Sequence, residues 1–288
     1  MVKQLSLVKD SSSFWKIINK CRRKSFPVDQ INLHVWEEQL IRMFPSPDNL
    51  ILNSTLANSS EILDQPISIN ELILSLKNCK NEKAAGPDKI SYEFLKNLPQ
   101  VAIDCLLHTY NRLLIEEHNL PINWSKISLR MLYKKGNIND PKKFRPIALI
   151  NSVLKTFTSI LNNRLNKFAK LYNLLPEAQA GFREGRSCLD NIFILSSIVQ
   201  IKLRQEKRKL FALFVDFKEA FPSVHHDLLG HKLNKLGLSN RFLNILKKIY
   251  SQAEINIENV NGETPYVKVT KGLLQGEITS PLLFSFYC

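Results

Sequence analysis

The sequence predicts an α+β protein, with helices over most of the first two thirds and a strand, two helices and a hairpin at the end. In much of the first part, apolar residues recur every three to four positions, which is the period of a helix packed on one face. The continuous apolar run at 210–215 is typical of a buried strand. Apolar residues alternate on both sides of Asn261-Gly262, which predicts a hairpin there.

The helix assignments depend on apolar spacing and on capping residues. Ser68 with Glu71, and Ser187 with Asp190, are capping boxes, so a helix is expected to begin behind each serine. Gly237 separates two helices near the end of the chain. Further helices are expected at 14–24, 32–44, 101–117, 153–171, 226–236 and 241–250.

The middle of the chain also contains a predicted strand and turn. Residues 127–133 are typical of a strand, and Lys135-Gly136-Asn137 is expected to turn the chain after it. In the helix at 153–171, Arg164 falls outside the apolar face.

The charge distribution indicates a polyanionic partner. The chain has a formal charge of +14, and residues 126–209 hold 18 basic and 5 acidic residues, a net charge of +13. A concentrated positive field gains affinity for nucleic acid through released counterions. A solvated basic face explains the charge alone equally well.

Cysteine usage and hydropathy indicate an intracellular protein. The five cysteines lack the close spacing of a zinc site and are expected to be free thiols in a reducing compartment. No signal peptide and no apolar run of membrane-spanning length is present, so no membrane association is expected. The expected location is the nucleus or the cytoplasm.

Asp216 is the residue most suited to metal chemistry. It ends the predicted strand at 210–215, where a carboxylate at the rim of an apolar sheet could bind a hard cation such as Mg²⁺. An isolated aspartate after a strand is more often a helix cap or a turn residue.

The segment 214–224 resembles the first palm motif of reverse transcriptases. That resemblance implies that Asp216 is catalytic and that its carboxylate and the carbonyl of Phe217 hold Mg²⁺. It also implies that Phe221 lies beneath the sugar of the incoming nucleotide and blocks a 2′-hydroxyl. Taken by itself, Phe221 is more often an ordinary core residue.

Two further segments resemble nucleotide-binding motifs of the same family. Residues 272–281 are similar to its Gln-Gly-x-x-x-Ser-Pro element, which implies that Gln275 and Gly276 lie beside the nucleotide. Residues 132–149 resemble the fingers of LINE-type enzymes, with Arg145 as a fork for the triphosphate and Lys134 and Lys135 nearby. Lys142 and Lys143 are interpreted as solvated surface charges.

The loop at 178–187 resembles the next fingers motif, in which glycines allow close approach and arginines contact the template. The resemblance implies template contacts for Gly181, Arg183 and Arg186. The loop at 83–88 is similar to the Gly-Pro-Asp loop that precedes the fingers in LINE and group II intron enzymes.

Five motifs in this order identify the chain as a member of the LINE-type (non-LTR) retrotransposon reverse transcriptases. The implied fold is the right-hand polymerase fold, with helix-rich fingers and a partial palm built on an incomplete antiparallel sheet. Residues 1–60 are expected to form an N-terminal helical extension, 61–209 the fingers, and 210–288 a palm truncated before the family's Tyr-Ala-Asp-Asp motif.

The implied function is RNA-directed DNA synthesis with Mg²⁺, an RNA template, a DNA primer and deoxynucleoside triphosphates, in a ribonucleoprotein of unspecified oligomeric state. The sequence contains no Asp-Asp pair, so the chain alone is expected to be inactive. The alternatives are a decayed, non-catalytic remnant that binds nucleic acid and a structural protein without a nucleic-acid role.

Overall fold

Helices pack around a small mixed sheet in the computed structural model, which describes residues 31–45, 59–116, 118–204 and 209–288. The predicted helix at 14–24 lies outside the described residues. The helices are α1 Leu33–Met43, α2 Glu61–Asp64, α3 Ile69–Asn78, α4 Tyr92–Lys96, α5 Gln100–Ile115, α6 Ile122–Ser125, α7 Ser152–Leu171, α8 Cys188–Leu203, α9 His226–Lys235, α10 Asn240–Ser251 and α11 Ser280–Tyr287. The strands are β1 Lys126–Tyr133, β2 Phe144–Ile150, β3 Glu254–Asn259, β4 Gly262–Glu263 and β5 Val267–Lys268.

The predicted helix starts are confirmed at both capping boxes. At α3, the N–H of Glu71 donates to Ser68 Oγ at 3.3 Å, while the Glu71 carboxylate accepts from the N–H of Ser68 at 3.0 Å. At α8, Ser187 and Asp190 form the same reciprocal pair. Gly237 ends α9 with a φ of +87°, a conformation that glycine adopts without steric cost. No helix among the described residues is long and apolar enough to cross a membrane.

The sheet is mixed, although the strands within 210–288, where an antiparallel sheet was expected, pair antiparallel with one another. The strand order is β2-β1-β3-β4, and β5 also pairs with β3. β1 runs antiparallel to β2 and parallel to β3. The predicted strand at 127–133 and the predicted hairpin are confirmed as β1 and as β3 with β4 and β5. The strand β2 was not predicted, because Pro146 breaks the usual strand pattern.

One hydrophobic core contains residues of the sheet and of the helices, α7 among them. Phe144 of β2 packs edge-on against Trp36 of α1, with ring centroids 5.3 Å apart. Tyr110 of α5 packs against Phe157 of α7 at 5.0 Å and donates its hydroxyl to the carbonyl of Val153 at 2.6 Å. The first contact joins β2 to α1, and the other two join α5 to α7.

Arg164 of α7 is buried although it lies outside the apolar face of the helix. Its side chain is 4% exposed and forms five hydrogen bonds. Two go to the Glu71 carboxylate at 2.8 and 2.9 Å, and the others go to the carbonyls of Leu63, Gln65 and Pro66. A guanidinium is buried here because every donor direction of its fork meets an oxygen.

The predicted buried strand at 210–215 is not formed. The segment has no regular secondary structure, and Leu213 and Phe214 are 89% and 80% exposed. Strand propensity reflects packing and pairing with neighbours, and no described strand lies beside this segment to pair with it. The helix α8, in contrast, is formed, but none of its side chains is buried. Both apolar segments are therefore unpacked.

Candidate nucleotide and nucleic-acid site

The antiparallel pair β1–β2 presents one buried and one basic face. Tyr133 pairs with Phe144 and Leu132 pairs with Arg145, so these pairs project from opposite faces of the hairpin. Leu129 and Ala148 face the core with Phe144. The opposite face carries four basic residues, Arg130, Lys134, Lys143 and Arg145.

The predicted triphosphate fork, Arg145, is free to bind an anion. Its side chain is exposed and has no ionic or hydrogen-bonding partner among the described residues. Arg130, on the same face, is instead paired with Glu258 at 3.1 Å. Arg145 therefore remains as an uncompensated guanidinium on the basic face.

Four lysines surround one cavity at the tip of the hairpin. The cavity has a volume of about 410 Å³ and is lined by Lys134, Lys135, Gly136, Lys142 and Lys143. The turn is held by a 2.6 Å hydrogen bond from the Tyr133 hydroxyl to the carbonyl of Gly136, whose φ is +106°. Lys142 and Lys143 are exposed, as expected, but they share this cavity with the two predicted binding lysines. Four lysines at one opening favour a phosphate-rich ligand.

The segment at Gln275-Gly276 lies along the free edge of β2. The N–H of Ala148 donates to the carbonyl of Gln275 at 2.7 Å. Gly276 has a φ of +116°, and a Cβ atom there would lie 2.7 Å from the carbonyl oxygen of Ala148. Glycine is therefore required for this contact. The contact places Gln275 beside Ala148, which is three positions from Arg145 and roughly 10 Å from it along the strand.

Glu277 is a buried residue that the sequence interpretation missed. One carboxylate oxygen of Glu277 accepts hydrogen bonds from the N–H of Thr279 at 2.6 Å, from the N–H of Ser280 at 3.1 Å and from the Thr279 hydroxyl. This carboxylate therefore caps the start of α11. The other oxygen is buried without a hydrogen-bond partner among the described residues. A glutamate just before Thr-Ser-Pro was the available signal, since a carboxylate is favoured at a helix start.

The charge of Glu277 affects two neighbouring groups. Burial raises the pKa of the Tyr250 hydroxyl well above its ordinary value, and the negative charge of Glu277 adds to the shift. Burial lowers the pKa of Lys155, while attraction to Glu277 opposes that shift. Glu277 thus connects α11 electrostatically to α7 and α10.

The structure brings Phe221 against the segment that precedes Gln275. The carbonyl of Phe221 accepts from the N–H of Leu273 at 2.9 Å, and the N–H of Gly272 donates to the carbonyl of Val224 at 2.7 Å. The Phe221 ring is half-buried and packs on Phe284 of α11, with centroids 5.1 Å apart. Two segments about 50 residues apart in sequence are therefore in direct contact.

Asp216 is not at the rim of a sheet, which corrects the expected geometry. Asp216 and Phe217 are exposed in the irregular segment described above. A carboxylate and a main-chain carbonyl are oxygen ligands of the kind that Mg²⁺ prefers. However, the described part of the chain contains no group of three or more His, Cys, Asp or Glu side chains that could hold a metal ion. The donors fit Mg²⁺ in type, but they do not form a complete metal site.

The predicted template-binding arginines are engaged within their own loop. Arg183 donates to the carbonyl of Pro176 at 2.8 Å and lies 3.8 Å from the Glu177 carboxylate. Arg186 also pairs with Glu177. The loop is attached to α11 by a 2.6 Å hydrogen bond from Gln179 Nε2 to Ser285 Oγ. A Cβ atom at Gly181 would meet no other atom within 4 Å.

One family model and several curated relatives match this chain. A family model described as reverse transcriptase (RNA-dependent DNA polymerase) matches residues 132–288. The chain is 29% identical over 224 residues to a probable RNA-directed DNA polymerase from transposon BS of Drosophila melanogaster, covering 77% of this chain and 24% of that protein. It is 26% identical over 239 residues to a Pol polyprotein from the type-1 retrotransposable element R2 of Nasonia vitripennis, covering 83% and 22%.

A third relative is similar over nearly the whole chain. The RNA-directed DNA polymerase from mobile element jockey of Drosophila melanogaster is 24% identical over 301 residues, covering 96% of this chain and 32% of that protein. The chain thus spans between about a fifth and a third of the length of these curated relatives.

Proposed function

This chain belongs to the reverse transcriptase family, in its non-LTR retrotransposon group, and we propose that it forms the fingers and the front of the palm of an RNA-directed DNA polymerase. The observation that carries the proposal is the convergence of separate motifs. Arg145 and the Gln275-Gly276 contact lie on the same strand, β2, and Phe221 contacts the segment that leads into Gln275. Contacts among residues so far apart in sequence are what a nucleotide site assembled from fingers and palm requires.

The proposed division places an N-terminal helical extension at 1–60, the fingers at 61–209 and the front of the palm at 210–288. The sheet crosses this division, because β1 of the fingers pairs with β3 of the palm. The two regions would therefore move together at this sheet. Such a connection favours a fixed distance between Arg145 and the palm.

Basic side chains would bind the triphosphate of the nucleotide, and steric contacts would restrict the position of its sugar. Arg145 supplies a planar fork for phosphate oxygens, and Lys134 and Lys135 add point charges. Gln275 and Gly276 line the site from the edge of β2, and Phe221 restricts the sugar position. An RNA template and a DNA primer are the proposed partners, in an intracellular ribonucleoprotein.

Reverse transcriptases generally use divalent metal ions, and Mg²⁺ is the proposed ion here. The Asp216 carboxylate and the Phe217 carbonyl would hold it. When bound, a divalent ion neutralises phosphate charge and polarises the reacting phosphate. The residues of this chain would orient the triphosphate through Arg145 and exclude a 2′-hydroxyl through Phe221.

A specific observation favours a second function, nucleic-acid binding without catalysis. The basic hairpin is fully formed, whereas Asp216 lies in an exposed segment outside the sheet. Binding and catalysis therefore depend on different parts of the chain. In this form, we infer, the chain can bind primer-template without extending it.

Binding of the purified chain to an RNA–DNA primer-template tests this proposal. We expect affinity to fall steeply with salt, since several phosphates would be neutralised. Arg145→Glu with Lys134→Glu should weaken binding on all sequences, because phosphate contacts carry no sequence information. Lys77→Glu, an exposed lysine of α3 outside the basic stretch, is the matched control. Binding that is independent of salt and of both hairpin residues would contradict the proposal.

A further inference from the structure

Gln275 and Gly276 reach the surface from a turn whose two flanks are buried. Leu274 and Glu277 are 6% and 4% exposed, whereas Gln275 is half-buried and Gly276 is exposed. The N–H of Glu277 donates to the carbonyl of Leu274 at 3.2 Å and closes the turn. The position of the two proposed nucleotide-binding residues therefore depends on how these flanks are held.

The Glu277 carboxylate attaches the downstream flank of the turn to α11. One of its oxygens accepts hydrogen bonds from the N–H groups of Thr279 and Ser280 and from the Thr279 hydroxyl. The helix α11 is itself fixed in the core, because Leu283 is fully buried and Ser280 Oγ shares a 3.2 Å hydrogen bond with the Tyr250 hydroxyl. The carboxylate thus joins the turn to a fixed helix.

Helix capping alone does not explain a glutamate at position 277. Thr279 is the N-cap residue of α11, and threonine is a residue type that can cap a helix by itself. Its hydroxyl donates to Glu277 instead and makes no capping hydrogen bond. The second carboxylate oxygen of Glu277 is buried without a hydrogen-bond partner among the described residues, and such an atom destabilises a folded protein. A residue that is unfavourable as a cap requires a further explanation.

We propose that Glu277 is a positioning residue of the nucleotide site, which holds Gln275 against β2 where it meets the nucleoside part of the incoming nucleotide. The Gln275 carbonyl accepts from the N–H of Ala148 at 2.7 Å, and Gly276 fits against the same residue only without a side chain. So close a contact tolerates little movement of the turn, and charge-assisted hydrogen bonds like those of Glu277 are stronger than neutral ones. This inference rests on the proposed function, because it takes Gln275 to lie beside the nucleotide.

Binding of two ligands to the whole chain with an RNA–DNA primer-template tests this role. The ligands are a deoxynucleoside triphosphate and inorganic tripolyphosphate, which offers phosphates to Arg145 and the hairpin lysines but has no nucleoside to meet Gln275. Glu277→Ala should weaken nucleotide binding about ten- to hundredfold, the range expected for one charge-assisted hydrogen bond, and leave tripolyphosphate binding unchanged. Glu277→Gln keeps an accepting oxygen but loses the charge, so its loss should be smaller.

Hydrogen exchange of the Ala148 N–H reports the position of the turn directly, because β2 is an edge strand and this N–H donates to Gln275. Its protection should fall in Glu277→Ala, while the amides that pair β1 with β2 keep theirs. Loss of protection along the whole hairpin would overturn the positioning role, since it indicates general unfolding.

The matched control is Asp64→Ala, because the Asp64 carboxylate also caps a helix and lies outside all five motifs. It accepts from the N–H of Ser60 at 2.9 Å at the start of α2. Its nucleotide affinity should equal that of the unchanged chain. Unchanged nucleotide binding or unchanged Ala148 protection in Glu277→Ala would overturn the inference while leaving the proposed function intact. Equal losses of nucleotide and tripolyphosphate binding would overturn it as well. If the unchanged chain bound neither ligand, the proposed function would fail and the inference with it.

Discussion

At the scale of single residues, Arg164 shows how a buried charge can connect distant segments. Its guanidinium joins α7 to Glu71 and to the carbonyls that precede α3. Burial alone would raise the pKa of Glu71, but the hydrogen bonds from Arg164 and Ser68 lower it to about 2. The pair therefore stabilises the ionised form of this carboxylate.

Replacing Arg164 tests this role. We expect Arg164→Met to reduce the free energy of unfolding by about 3–5 kcal/mol, because Glu71 would keep a partly buried charge without its partner. In the unchanged chain, the contribution of Glu71 is fully present above pH 4.5, the unfolded value, and is lost as pH falls through that value toward 2. Urea unfolding between pH 2 and pH 7 measures both effects. A Glu71→Gln chain with an unchanged pH dependence would contradict the assignment.

Phe221 belongs to the same scale, because its proposed role depends on one ring. In a chain extended to carry the whole palm, Phe221→Val should admit ribonucleotides more readily, since a smaller side chain leaves room for a 2′-hydroxyl. The measurement is the ratio of ribonucleotide to deoxyribonucleotide incorporation. A variant that still polymerises with unchanged sugar discrimination would make Phe221 a core residue only.

At the scale of elements, the contact between Gln275-Gly276 and β2 depends on one missing side chain. We expect Gly276→Ala to destabilise the chain by the cost of its positive φ, about 1–2 kcal/mol, plus about 1–3 kcal/mol for the clash with Ala148. Gly237→Ala is the matched control, because it has a φ of +87° but open space around it. Urea unfolding of both variants separates strain from clash. Equal losses would show that the Ala148 contact does not require glycine.

The sequence was a good guide to helices and a poor guide to long-range pairing. Capping at Ser68 and Ser187 and the Asn261-Gly262 turn are local signals, so the elements that depend on them were predictable. The parallel pairing of Ile127 with Ile255 joins strands more than 120 residues apart, and no local pattern specifies it. The prediction of a strand at 210–215 was wrong for the same reason. The composition of this segment favours a strand, but a strand also needs a neighbouring strand to pair with.

The candidate site follows the same division. Arg145 was identified by the resemblance of residues 132–149 to the fingers of LINE-type enzymes, and its side chain is exposed. Glu277 and the pairing of Arg183 with Glu177 were not, because they depend on how loops pack. Motif resemblance identified which residues belong together, but it did not specify which of them are already engaged.

At the scale of the whole molecule, binding and catalytic parts differ in their degree of organisation. The hairpin β1–β2 and its lysine cavity are formed, while Asp216 and the apolar residues around it are exposed. The helix α8 is also apolar and unpacked, and exposed apolar surface of this extent favours self-association. Two-metal phosphoryl transfer needs ions about 4 Å apart, which one carboxylate cannot hold.

Metal-dependent primer extension on an RNA template tests the proposed catalytic centre most directly. Three proteins are compared: this chain, the chain extended with a relative's palm through its Tyr-Ala-Asp-Asp hairpin, and the extended chain with Asp216→Asn. We expect incorporation only by the extended chain with Asp216 intact. Incorporation by the unextended chain that disappears with Asp216→Asn, or activity that survives Asp216→Asn in the extended chain, would contradict the proposal.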